Sequence, residues 1–154
     1  MSGTAPPLFT IGYEKATPAA VLAELKRARV TLLVDTRAVT SSRRPGFSKR
    51  QFAASLDEIR IGYLHLQKLG TPADGRQAAR KGDLKTLWRI YNKHLKTPEA
   101  REAMDELLAL VRSSRRICLL CFERDPCVCH RSRIAEIVHE ETGAKIENLL
   151  PAIF

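Results

Sequence analysis

Short apolar runs alternate with helical patterns along the chain. Runs of four to six mainly apolar residues, several of which end in a polar or small residue, predict strands. Between them, apolar residues recur every three or four positions, which predicts amphipathic helices. Alternation of strands and helices is typical of a parallel sheet with right-handed crossovers and helices on both faces. The predicted strands are Leu8–Gly12, Thr31–Val34, Gly62–Leu66, Ile117–Phe122 and Lys145–Leu149.

Capping residues mark where the helices begin and end. At two of the predicted helix starts a threonine stands before a proline, which predicts a threonine cap and a proline in the first helical turn. Ser48 followed by Gln51 matches a capping box, whereas Gly70–Gly75 has the composition of a turn. Gly143 is expected to end the last helix. The predicted helix starts are Thr17-Pro18, Ser48, Asp83, Thr97-Pro98 and the segment Cys129–Ser132.

These elements predict one α/β domain over residues 1–154, a three-layer sandwich with a mostly parallel sheet of about five strands. With 44% hydrophobic and 28% charged residues, the composition excludes a disordered or fibrous chain. No apolar run approaches the roughly 18 residues of a membrane span, and no secretory signal is evident. We therefore expect a soluble, cytoplasmic protein that has no membrane partner.

The net charge of +9 comes from the middle of the chain. Residues 36–96 contain 14 lysines and arginines against 4 acidic residues, whereas basic and acidic residues nearly balance elsewhere. Such a surplus can simply be a solvated surface that keeps a protein soluble. It can also bind nucleic acid or another polyphosphate, and the sequence leaves both interpretations open.

Polar residues follow the predicted strands at their carboxyl ends, where open parallel sheets bind ligands. Asp35 and Arg37 follow the second strand, and Glu123 follows the fourth. A helix N-terminus at Cys129–Ser132 attracts anions, and an arginine there adds a fork for phosphate or carboxylate. The sequence thus predicts that Arg37, Arg43 and Arg131 converge on one anion. An alternative is that Arg131 pairs with Glu123 or Asp35 and holds a loop in place.

Four cysteines lie within twelve residues, at positions 118, 121, 127 and 129. This is not a disulfide framework for a domain of this length, which favours a reducing compartment. Cys129 is the candidate reactive thiolate, because a helix N-terminus beside arginines lowers a thiol pKa, and His130 is its candidate acid–base partner. A metal site from Cys121, Cys127, Cys129 and His130 and a phosphatase-like Cys-x5-Arg loop are weaker alternatives. We expect no metal and no other cofactor.

Five motifs occur in the order found in the domain-of-unknown-function family 488, and the chain resembles that family over nearly its whole length. Its last motif is the most specific. The motifs are Thr10-Ile11-Gly12-Tyr13, Val34-Asp35-Thr36-Arg37, Ser42-Arg43-x-Pro45-Gly46-Phe47-Ser48, Tyr63-x-His65-x-x-x-Leu69-Gly70 and Leu120-Cys121-Phe122-Glu123-x-Asp125-Pro126-x-x-Cys129-His130-Arg131.

The resemblance implies a compact cytoplasmic α/β domain from bacteria or archaea and does not imply a reaction. The chain departs from the family pattern at Tyr13, often a histidine or small polar residue, and at Thr36, usually a valine. The signature residues carried over are Asp35, Arg37, Arg43, Phe47, Tyr63, His65, Cys121, Glu123, Cys129, His130 and Arg131.

The functional hypothesis is an enzyme-like domain that acts on a phosphate-containing small molecule or a nucleic acid. One alternative is a non-catalytic nucleic-acid-binding module that uses the basic surface of residues 36–96. A third is a metal or redox module built on the cysteines. Under the first hypothesis, the catalytic candidates are Asp35, Glu123, Cys129 and His130. The substrate-binding candidates are Arg37, Arg43, Phe47, Tyr63, His65 and Arg131.

Overall fold

A single five-stranded sheet forms the centre of the protein. The structure, a computed structural model, describes residues 5–154. All neighbouring strands run parallel, in the order β3-β2-β4-β1-β5. Each strand differs from its predicted range by at most one residue at either end. The strands are β1 (Leu8–Gly12), β2 (Leu32–Asp35), β3 (Gly62–His65), β4 (Ile117–Cys121) and β5 (Ile146–Leu149).

Helices cover both faces of the sheet and confirm the three-layer α/β sandwich. The first two helices cover one face and the last three cover the other, as the membership of the two apolar cores shows. No helix within residues 5–154 has the length and apolar character needed to cross a membrane. The helices are α1 (Pro18–Arg27), α2 (Lys49–Glu58), α3 (Ala73–Arg80), α4 (Leu84–His94), α5 (Pro98–Arg112) and α6 (His130–Thr142).

Alternation along the strands divides the apolar residues between the two cores. Phe9 and Ile11 of β1 pack in the core under α1 and α2, whereas Leu8 packs on the opposite face. In β4, Cys118 lies in the first core and Leu119 in the second. Residues buried on both faces explain why β1, β2 and β4 are continuous apolar runs.

Most predicted helix ends are confirmed by their capping contacts. The Oγ1 atoms of Thr17 and Thr97 accept hydrogen bonds from backbone N–H groups three residues later. The Asp83 carboxylate does the same for Thr86 N, at 3.1 Å. Gly143 ends α6 in the left-handed conformation, with φ of 75°, which glycine adopts without steric cost.

Two local predictions are wrong. Ser48 does precede α2, but it forms no capping box, because Ser48 Oγ accepts a hydrogen bond from Ser42 N and Gln51 Oε1 accepts one from Gly46 N. Both side chains therefore hold the preceding loop instead of the helix end. The predicted turn Gly70–Gly75 is also too long, since α3 begins at Ala73 within it.

Candidate functional site

A cleft of about 720 Å³ opens at the carboxyl edge of the sheet. One wall comes from the ends of β1, β2 and β4, whose crossover helices leave toward different faces, and the other comes from α3 and α4. Ligands of open α/β sheets bind at such an edge. The lining residues are Tyr13, Arg37, Ala38, Val39, Thr71, Arg76, Ala79, Arg80, Gly82, Leu84, Leu87, Cys121, Phe122, Glu123, Val128 and His130.

Helix α3, which the sequence analysis missed, supplies two arginines to this cleft. Arg76 and Arg80 are four residues apart and therefore share one face of the helix. Arg76 Nη1 donates to Thr71 O at 2.8 Å, whereas Arg80 is exposed. Gly75 made this segment look like a turn in the sequence. The glycine fits the packing of the helix, because a Cβ at this position would lie 2.6 Å from Thr71 Cγ2. The signal that could have revealed α3 is Asp74 in its first turn.

Arg37 forms a closed ion pair with Asp35 at the end of β2. Asp35 is fully buried and Arg37 is 5% exposed. Arg37 Nη2 donates to Asp35 Oδ2 at 2.7 Å and Arg37 Nε donates to Asp35 Oδ1 at 2.9 Å. Burial opposes the charge on Arg37, but the hydrogen bond and charge of Asp35 outweigh burial and raise its pKa. Asp35 thus positions Arg37, which lines the cleft.

Three predicted substrate-binding residues hold this ion pair in place from outside the cleft. Tyr63 Oη donates to Asp35 Oδ2 at 2.6 Å, and His65 Nε2 lies 2.7 Å from Arg37 O. The carbonyl oxygen of Phe47 accepts a hydrogen bond from Arg37 Nη1, while its ring stacks on Tyr13. None of the three lines the cleft, so the structure gives them supporting positions.

Glu123 lines the cleft just beyond β4. Gly12 allows this placement, because a Cβ at position 12 would lie 1.7 Å from Glu123 O. Burial raises the pKa of the Glu123 carboxyl above its ordinary value. Glu123, which the sequence analysis predicted to be in the site, therefore does reach the cleft.

Arg131 is fully buried in the first turn of α6 and does not line the cleft. Its Nε donates to Thr10 Oγ1 at 3.2 Å and its Nη2 donates to Arg124 O at 3.1 Å. Its Nη1 donates to Cys121 Sγ, at 2.9 Å, and to Glu123 O. These bonds tie the β4–α6 loop to the sheet, which is closer to the loop-holding alternative than to an arginine open to a ligand.

The sulfur atoms of Cys121 and Cys129 are bonded to each other. Cys129 is the predicted reactive thiolate, and because its sulfur is paired and the residue is 1% exposed, that thiolate would form only after reduction. The remaining thiols are Cys118, which is buried, and Cys127, which is exposed. Burial raises the pKa of the Cys118 thiol. Cys118 packs in the apolar core under α1 and α2 and is not part of the pair.

His130 lines the cleft, and its ring is fixed by Thr36. His130 Nε2 lies 2.9 Å from Thr36 O and 3.1 Å from Thr36 Oγ1. A carbonyl oxygen only accepts, so Nε2 carries the proton and Nδ1, 3.9 Å from Cys129 Sγ, keeps its lone pair. Burial lowers the pKa of His130 to about 4, so the ring is neutral at pH 7.

The structure brings only part of the predicted site together. Of the predicted arginines, Arg37 lines the cleft, Arg131 is buried behind Cys121, and Arg43 is exposed on the loop before α2. Of the catalytic candidates, Glu123 and His130 line the cleft, whereas Asp35 and Cys129 do not. Sequence reasoning did not predict that Arg76 and Arg80 belong to the site.

The family comparison agrees with the motifs. The model of the family described as "Domain of unknown function DUF488" matches residues 17–138, which is most of the chain. The chain belongs to this family. No curated protein and no solved structure was found to match it. The matched range includes Arg37, Arg76, Arg80, Glu123 and His130, whereas β1 and Tyr13 precede it.

Proposed function

We propose that the cleft binds a phosphate-containing ligand with an apolar or aromatic body, a nucleotide or a nucleotide unit of a nucleic acid. The observation that carries this proposal is that Arg76 and Arg80, with one edge of the Asp35-paired Arg37, line one cleft whose remaining surface is mostly apolar. Arginine forks match the oxygens of phosphate, and charge-assisted hydrogen bonds to them are strong. An apolar wall with a few polar groups is typical of small-molecule sites.

The apolar wall suits the flat face of a base. Phe122 is 41% exposed at the cleft, and Leu84, Leu87 and Val128 also line it. A ring in the cleft would contact these side chains while its phosphate met the arginines. Glu123 and His130, the two catalytic candidates that line the cleft, would then contact the bound ligand, as an enzyme-like site requires.

Calorimetric titration of the full chain with the four ribonucleoside 5′-monophosphates, and with the matching nucleosides, tests this proposal. We expect at least one monophosphate to bind about tenfold more tightly than its nucleoside, which is ~1.4 kcal/mol. The double variant Arg76→Ala/Arg80→Ala should lose this difference. Arg89→Ala is the matched control, because Arg89 is exposed on α4 outside the cleft. Equal affinity for nucleotide and nucleoside, or an unchanged double variant, would overturn the proposal.

A second candidate is a non-catalytic nucleic-acid-binding surface on residues 36–96. The observation that favours it is that exposed Arg80, Lys81, Lys85 and Arg89 lie on α3, α4 and their connection, next to the cleft. Under this candidate, affinity for generic single-stranded DNA or RNA falls steeply with salt, by about 0.7 in the log–log slope for each phosphate contacted.

Charge reversal of Arg80, Lys85 and Arg89, all exposed on α3 and α4, tests this second candidate. Arg44 is not a suitable target, because its guanidinium donates to Tyr13 O and Ala16 O and lies over the Phe154 ring. The reversed variant should show a slope lower by about 2, since up to three phosphate contacts are lost. No binding at low salt, or an unchanged slope, would contradict this candidate and leave the basic stretch as a solvated surface.

A further inference from the structure

We propose that in the reduced protein Cys121, Cys129 and His130 form a site for one divalent metal ion, with zinc as the ion their chemistry favours. This goes beyond the proposed function and does not depend on what the cleft binds. The Sγ atoms of the two cysteines and a ring nitrogen of His130 all lie within 4.8 Å of one another. Two thiolates and an imidazole are a ligand set typical of zinc.

The histidine is already oriented as a metal ligand. Its Nε2–H donates to Thr36 O at 2.9 Å, which leaves the Nδ1 lone pair on the side of Cys129 Sγ, 3.9 Å away. Histidines that bind metals commonly donate their other ring N–H to a backbone carbonyl or carboxylate, which fixes the ring and its tautomer. Thr36 O is such a carbonyl, because it accepts the hydrogen bond from the His130 ring nitrogen that would not bind the metal.

The backbone holds the two cysteines at separate points. Their Cα atoms are 7.4 Å apart. Cys121 is held by β4 and Cys129 by the start of α6, so neither position depends on the sulfur–sulfur bond alone. The two elements place both sulfurs at one point beside the cleft.

The charge on Arg131 supports anionic sulfur at this point. Among the described residues, no carboxylate oxygen lies within 4 Å of its buried guanidinium. Arg131 Nη1 donates to Cys121 Sγ at 2.9 Å, and this contact is charge-assisted once Cys121 is a thiolate. Two thiolates neutralise a divalent ion, and the Glu123 carboxylate, with Oε2 3.7 Å from Cys121 Sγ, then offsets the arginine.

A bound ion would face the cleft on one side. Cys121 and His130 both line the cleft, whereas Cys129 is buried behind them. Zinc sites with three protein ligands keep a fourth position for water or substrate. Glu123 is the side chain near enough to share or occupy that position.

Binding requires that the cysteine pair be reduced first. A phosphine reductant supplies the two electrons, because water adds its oxygen to phosphorus and its two protons to the sulfurs, giving a phosphine oxide and two thiols. The metal ion then displaces both thiol protons to solvent. The metal site considered from the sequence included Cys127, but Cys127 is exposed and is not part of this cluster.

Cobalt(II) provides the test. The full chain is reduced with a phosphine, desalted without oxygen and titrated with Co²⁺ in the absence of nucleotide. We expect about one Co²⁺ per chain and a sulfur-to-cobalt absorption band, both lost in Cys121→Ser and Cys129→Ser. Cys127→Ser is the matched control and should behave as the wild type. No stoichiometric Co²⁺ in the reduced wild type, or loss of binding in Cys127→Ser, would overturn the proposal.

A second measurement on the wild type covers the case in which the serine variants do not fold. Zn²⁺ should slow alkylation of Cys121 and Cys129 at least tenfold, as followed by peptide mass spectrometry, and leave Cys127 unchanged. Equal protection of Cys127, or no protection of the pair, would contradict the site. Because neither experiment contains a phosphate ligand, their outcome is separate from that of the nucleotide titrations.

Discussion

Two buried arginines, Arg37 and Arg131, lie at the same edge of the sheet, but different groups surround their buried positive charges. The charge of Arg37 is matched by a buried carboxylate with which it shares three hydrogen bonds. The charge of Arg131 meets a hydroxyl, two carbonyl oxygens and a cysteine sulfur. A buried charge is costly unless it is paired and hydrogen-bonded.

This difference indicates that the Asp35–Arg37 pair has a structural role, whereas Arg131 lies beside sulfur atoms that can react. The Asp35–Arg37 pair is complete in itself, so it fixes the end of β2 and presents one edge of Arg37 to the cleft. Among the described residues no carboxylate is in direct contact with Arg131, and the Cys121 sulfur that it contacts can become an anion once the cysteine pair is reduced. The wall formed by β4 and α6 is therefore where chemistry at sulfur is favoured.

The largest expected effect comes from breaking the complete pair. Asp35→Ala leaves the Arg37 charge buried without a partner and should lower the free energy of unfolding by about 3–5 kcal/mol. Urea unfolding measures this. Asp57→Ala, at an exposed position of α2, is the control and should change stability by less than about 0.5 kcal/mol. A loss below 1 kcal/mol for Asp35→Ala would show that the pair is not what holds the end of β2.

Replacing Arg131 should lower the free energy of unfolding by less than Asp35→Ala does. Arg131→Met leaves the carbonyl oxygens of Glu123 and Arg124 without their buried donor but leaves no carboxylate unpaired. We expect a loss of about 1–3 kcal/mol, from the same unfolding measurement under reducing conditions. Arg115→Met, at an exposed position after α5, serves as the control. If Arg131→Met costs as much as Asp35→Ala, the distinction between the two arginines is wrong.

The smallest expected loss of stability comes from removing the Tyr63 hydroxyl, which contacts the Asp35–Arg37 pair from outside. Tyr63→Phe removes the 2.6 Å hydrogen bond to Asp35 and little else. Because the acceptor is charged but Tyr63 is only half-buried, we expect a loss of about 1.5 kcal/mol. Thermal unfolding at matched protein concentration measures it. A change below about 0.3 kcal/mol would mean that Arg37 alone satisfies the Asp35 carboxylate.

The sheet and the helix starts could be predicted because their signals are local. The apolar runs of β1, β2 and β4 are short and continuous, and the caps of Thr17, Asp83 and Thr97 act over three residues. Helix α3 was missed because Gly75 interrupts the helical pattern, and its contact with Thr71 is not visible in the sequence.

The partners in the site were harder to predict for the same reason. That Asp35 and Arg37 matter follows from their place after a strand, but the further partner of the pair, Tyr63, lies twenty-eight residues after Asp35. Arg131 meets Thr10 across most of the chain, which only the order of the strands explains. Residue types could be predicted from the sequence, whereas their roles depended on contacts between distant segments.

A ¹⁵N NMR titration of the full chain with inorganic phosphate, and then with a nucleoside 5′-monophosphate, tests most directly whether the cleft holds a phosphate-containing ligand. The amide signals of Ala38, Arg76, Arg80 and Glu123 should shift together and saturate with one dissociation constant. Signals of exposed residues on α2 and α5 should stay in place. Shifts spread along the basic helices without saturation, and none at Ala38 or Glu123, would contradict a ligand site in the cleft.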